Sequence, residues 1–142
     1  MAEIVDIADA VVTELNAGTF SQELEAVRLY RPQFDLAEMA TLHVTVVPKS
    51  IETVTVSRTC VQYDITVDVA VQKKLEAETN DEIDPLVSLV EEIAMFFRLR
   101  RLAEYPNATW LRTENEPVYS PGHLEEVRQF TSVLTLTFRV VK

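Results

Sequence analysis

The chain is poor in the residues that most often announce chemistry: it has two glycines, one cysteine, two histidines and one tryptophan in 142 residues. With only Gly18 and Gly122, neither the GxGxxG dinucleotide fingerprint nor the GxxxxGK[ST] phosphate loop can be written. A single cysteine, Cys60, excludes an intrachain disulfide and points to a reducing, or at least disulfide-free, compartment. No GxSxG nucleophile elbow occurs. No apolar run approaches the roughly 18 residues that crossing a bilayer demands. The opening MAEIVDIADAVV has no basic residue and carries Glu3, Asp6 and Asp9, so it does not read as a secretory signal. Positive charge is scarce as well. The 13 Lys and Arg face 23 Asp and Glu, for a net charge of −10. That field repels a phosphate backbone on average, and its plainest use is solubility.

What the chain does have is pattern. Hydrophobic residues make up 47% and charged residues 25%, which is globular composition, and the length suits a single domain spanning 1–142. Ile4, Ile7, Ala8, Val11, Val12 and Leu15 recur at helical spacing, with Glu3, Asp6, Asp9 and Glu14 outward or flanking and Asn16 and Gly18 as stop signals. A strand over about 24–31 follows, ended by Pro32. TLHVTVVP reads as a second strand bounded by Pro48. KSIETVTVSRT, at about 48–58, is polar and β-branched and reads as a hairpin extension or a flexible β-arm.

The clearest alternation lies in CVQYDITVDVAVQ. Val61, Tyr63, Ile65, Val67, Val69 and Val71 share one face, with Gln62, Asp64, Thr66, Asp68 and Gln72 on the other. DPLVSLVEEIAMFFRLRRL predicts a second helix, capped by Asp84 with Pro85 at its first position. Its apolar face holds Leu86, Leu89, Val90, Ile93, Phe96 and Phe97, widened by Met95 and Leu99. A strand over about 109–113 and a final strand complete the order. In the last strand Phe130, Ser132, Leu134, Leu136, Phe138 and Val140 form one face. The expectation is an α+β fold, a mainly antiparallel sheet covered by two helices, in the order α-β-β-β-α-β-β.

No motif carries catalysis. A metal needs converging ligands, and His43, His123 and Cys60 are scattered along the chain. Cys60 falls on the wetter face of its strand, where an isolated cysteine is a packing residue rather than a nucleophile. Asp64 and Asp68 share a strand face but stand roughly 13 Å apart, too far to share a proton or an ion. NDEID lacks the glycine and spacing of a calcium loop. Arg98, Arg100 and Arg101 form the one basic cluster, placed to complement a helix dipole or to pair with an acidic neighbour. Trp110 reads as an interface anchor or a core residue. No catalytic residue, metal or cofactor is expected.

Several segments taken together resemble a known family. DIADAVVTELN, FSQELEAVRLYRPQFDLAEMATLHVTVVP, IDPLVSLVEEIAMFFR and ENEPVYSPGHLEEVRQFTSVLTLTFRV are similar, in order and phrasing, to tail terminators of long-tailed phages. These are also called tail-completion or neck proteins. The resemblance implies a homo-hexameric ring that caps the tail tube and offers a surface to the head-side connector or stopper protein. DNA would pass through the lumen without specific binding. It also implies a virion tail or neck location after assembly in the host cytoplasm, with no membrane, cofactor or catalysis. Another head–tail joining component, or a small non-catalytic protein-binding module, is the alternative. In a ring, Glu125, Glu126 and Arg128 would serve subunit contacts, together with Arg98, Arg100, Arg101 and Trp110.

Overall fold

The structure is a computed structural model and describes residues 3–30, 41–77, 79–115, 118–119, 121–122 and 129–142. The observed order is α1 (Glu3–Ala17), β1 (Ala26–Arg28), β2 (His43–Thr55), β3 (Val61–Lys74), α2 (Asn80–Phe97), β4 (Thr109–Asn115) and β5 (Gln129–Val141). The five strands make one sheet in the order β1-β2-β3-β5-β4. Only β1 and β2 run parallel, and every other neighbouring pair is antiparallel. The expected α+β fold is therefore present. The long strands β3 and β5 form the centre, paired without a break from Gln62↔Val141 to Lys74↔Gln129.

Both helices lie on one face. α1 packs over β1, β2 and β3, and α2 over β5 and β4. The reason is the alternation of the strands, which sends every second side chain to the same side. Ile65, Val67, Val69 and Val71 on β3 meet Phe130, Leu134, Leu136, Phe138 and Val140 on β5, all inside the core. From the helices come Ile7, Ala8, Val11 and Leu15, and Leu86, Leu89, Val90, Ile93 and Phe97. Full burial of one such aliphatic or aromatic side chain is worth about 1.5–3 kcal/mol. The face away from the helices is polar and clamped. Arg139 donates to both oxygens of Asp64, at 2.9 and 3.1 Å, and Thr135 donates to Asp68 at 2.7 Å. Asp64 and Asp68 thus have separate partners, as two carboxylates this far apart along a strand require.

Several boundaries differ from the sequence expectation. β1 is three residues long rather than eight, and the Asn16 side chain holds its first residue. The Asn16 amide donates to the Ala26 carbonyl at 3.1 Å and accepts from the Ala26 N–H at 2.7 Å. Pro32 lies outside the described residues. β2 does not stop at Pro48. It continues to Thr55, with a register shift between Pro48 and Ser50. Beyond Val46 no described strand lies outside β2, so the N–H that proline lacks is not needed there.

α2 begins at Asn80, with Thr79 as its N-cap, not at Asp84 and Pro85. The Thr79 carbonyl accepts from the N–H groups of Glu82 and Ile83. The Glu82 carboxylate accepts from the N–H groups of Glu76 and Ala77, at 2.6 and 2.8 Å, and fastens the preceding loop. Pro85 therefore sits inside the helix. The helix also ends sooner, at Phe97. Leu99 follows in the left-handed region at φ 57°, a conformation that usually selects glycine. Met95 and Leu99 do not widen the buried face, for they are 64% and 77% exposed.

Glu14, expected outward, is buried. Its carboxylate accepts from Arg100 Nε and Nη2 at 3.1 and 3.0 Å, and from the Ala103 N–H at 2.9 Å. A carboxylate so placed needs such partners to offset its lost hydration.

Candidate interaction surface

The basic cluster divides on folding. Arg100 turns inward to Glu14, and its guanidinium lies 3.9 Å from the centre of the Phe96 ring. Arg98 and Arg101 stay exposed. Trp110 is half-buried at the start of β4, opposite Phe138, and donates its indole N–H to the Thr113 hydroxyl at 2.9 Å. Leu99, Arg101, Thr109 and Trp110 line a shallow depression where the end of α2 meets the start of β4. Exposed apolar and basic side chains are thereby brought beside one edge of the sheet. Glu125, Glu126, Arg128 and His123 lie outside the described residues. Among the described residues, no three His, Cys, Asp or Glu side chains converge on a common point. No described helix is long and apolar enough to cross a membrane.

The other edge carries a feature with no counterpart among the described residues. β2 and β3 extend past the helices as a hairpin, closed by residues 56–60, where the Cys60 carbonyl accepts from the N–H groups of Val56 and Ser57. Every residue from 49 to 59 is exposed. Ile51, Val54 and Val56 are 46%, 42% and 58% exposed. Ile51 pairs with Ile65 and Val54 with Gln62, so this arm shows apolar side chains on both faces. The arm matches the hairpin-extension reading of the sequence. Cys60, half-buried in the closing turn, stands 3.9 Å from the Thr59 hydroxyl.

The electrostatics of the arm are uneven. Arg139 holds the Asp64 carboxyl below the usual carboxylate range, chiefly through the hydrogen bonds it donates. Glu52 stands directly opposite Asp64 on the neighbouring strand. Two like charges facing across a ladder repel. Arg139 is committed to Asp64, and Glu52 makes no ion pair among the described residues. Sequence reading missed this, because cross-strand pairing is set by register and the register shift at Pro48 is not visible in the alternation.

No protein-family model matches the chain, and no curated protein matches it either.

Proposed function

We propose that the chain is a structural ring subunit of the tail-terminator kind, one that caps a phage tail tube and presents a surface to the head-side connector. The observation that carries this reading is the projecting β2–β3 arm, with Ile51, Val54 and Val56 exposed on it. A monomer gains nothing from holding three apolar side chains in water on a strand edge. A subunit that lends this arm to a neighbour or to the tube buries them. The resemblance in segment order and phrasing points the same way. The net charge of −10 suits a lumen through which DNA slides without sticking. In this reading the role is assembly, with no chemical step.

Electron microscopy and light scattering of the purified protein, alone and with tail-tube protein, test the proposal. The expected result is rings near six subunits, or rings seated on tube ends that stop further tube growth. A protein that stays monomeric in both conditions and leaves tube length unchanged contradicts it.

A further inference from the structure

We propose that the outer edge of the β2 arm pairs, antiparallel, with the outer edge of β4 on a second copy of this chain, with Glu52 facing Arg112 of that copy. The inference deepens the ring reading and rests on it for a partner that is the same chain.

The first support is topology. Sheet order β1-β2-β3-β5-β4 places β4 at one end. At the other end β1 covers only Val44, Thr45 and Val46 of β2. Among the described residues, β4 pairs with β5 alone, and residues 49–55 of β2 pair with β3 alone. These two edges, unpaired among the described residues, therefore lie on opposite sides of the sheet. Joining one to the other is a head-to-tail contact, the kind that closes into rings or runs on as filaments. The strand directions agree. β2 runs opposite to β3, β3 to β5, and β5 to β4. A second copy brought alongside in the same orientation sets its β2 antiparallel to β4.

The second support is the direction of the backbone groups. Val61 and Lys142 exchange both hydrogen bonds, at 2.6 and 2.8 Å. Along an antiparallel ladder this duty alternates. Val61, Tyr63 and Ile65 therefore bond toward β5, and Gln62, Asp64 and Thr66 bond toward β2. Their β2 partners Val54, Glu52 and Ser50 bond inward, which leaves the backbone groups of Ile51, Thr53 and Thr55 aimed outward. On β5 the odd-numbered residues bond toward β4, so Arg112 and Glu114 bond inward and Thr113 aims outward. Ile51 and Thr113 can exchange hydrogen bonds, and both lie on the helix-covered side of their sheets.

The third support is charge, which selects the register. With Ile51 opposite Thr113, Glu52 stands opposite Arg112 and Ser50 opposite Glu114, all on the polar face. A slip of two residues that moves Ile51 opposite Asn115 puts Glu52 against Glu114. The slip the other way, with Lys49 opposite Thr113, sets Ser50 against Arg112 and leaves Glu52 against Trp110. Only the first register gives Glu52 the cation that its own chain spends on Asp64. Arg112 is available for this, since its side chain is 63% exposed and its ion pair to Glu114 is a surface contact. The arm's Ile51 then approaches the depression lined by Leu99 and Trp110.

Sedimentation velocity over a concentration series tests the pairing with the full chain. Glu52→Arg and Arg112→Glu should each weaken self-association at least about tenfold, because each sets like charges face to face. The double variant restores the opposite pair, and its association should return to within about threefold of the natural protein. In a Cys60→Ser background, mixing copies bearing Glu52→Cys with copies bearing Arg112→Cys should give a disulfide-linked dimer, since facing residues at a non-hydrogen-bonded position approach within disulfide range. Neither variant should cross-link alone. Rings that form with unchanged strength in both single variants overturn the edge pairing and leave the ring reading standing. Single variants that weaken association without rescue in the double, or no mixed disulfide, overturn the Glu52–Arg112 register. A natural protein that stays monomeric at every concentration overturns the pairing, and tube-end binding then decides the ring reading separately.

Discussion

Val44 and Val46, in the first half of β2, are 1% and 0% exposed, whereas Ile51 and Val54 in its second half are 46% and 42% exposed. Both halves are rich in β-branched residues and both pair with β3. Local propensity is the same in each. The difference is cover, because α1 lies over the first half and neither helix reaches the second. Burial is thus a property of what packs against a strand and cannot be deduced from the strand alone. The cross-strand pair Ile51↔Ile65 makes the point within one row of the sheet, for Ile65 is fully buried and its opposite number is not.

The largest effect should come from Ile65→Ala, which opens a cavity under the helices and costs about 2–5 kcal/mol in denaturant unfolding. If that change proves as mild as a surface substitution, the covered half is not packed as described. Glu14→Ala strikes the cover itself, by stranding Arg100 and the Ala103 N–H that fasten α1 to the segment after α2. With Arg100 partly exposed, the expected loss is about 2–3 kcal/mol. Thermal unfolding followed by circular dichroism reads it.

Asp64 joins the two regions, and its pairing predicts a pH dependence. Its carboxyl is held below the ordinary range in the folded state, so its contribution is present above the unfolded value, about 3.9, and is lost as pH falls through the lower folded value. Asp64→Asn should therefore cost about 0.5–1.5 kcal/mol at pH 7, and the gap to the natural protein should close under acid. A gap that persists unchanged at pH 2 would separate the effect from the charge. Smallest of all should be Ile51→Ala, within about 0.5 kcal/mol for the folded monomer, in contrast with the same substitution at Ile65. A cost of several kcal/mol at Ile51 would mean that the arm is covered within its own chain, and would erase the comparison.

Much of the fold was legible because it follows from periodicity. The two faces of β3 and β5, the stripe on α1 and the core residues of α2 all appear in the alternation and in the helical spacing. The misreadings share a cause, which is that a punctuation residue has more than one use. Pro48 ends nothing, since it stands on an edge where its missing N–H is not required. Pro85 does not open α2, since the turn before it is already organised by Thr79 and Glu82. Glu14 looks like a flanking charge until Arg100, 86 residues away, arrives to pair with it. Asn16 reads as a stop signal, yet its amide does the work of a strand partner for Ala26. Of the interaction surface, the sequence showed the arm as a polar β-branched segment. It did not show which residues face outward, because that depends on register with β3 and on the register shift after Pro48.

The most direct measurement is residue-resolved amide hydrogen exchange in dilute and in assembled protein. Inward N–H groups at Ser50, Glu52 and Val54 should be protected in both conditions. Outward N–H groups at Ile51, Thr53 and Thr113 should exchange freely when dilute and become protected on assembly. Outward groups that exchange equally fast in the assembled protein, or that are already protected in the dilute monomer, would contradict the claim that these edges pair between copies.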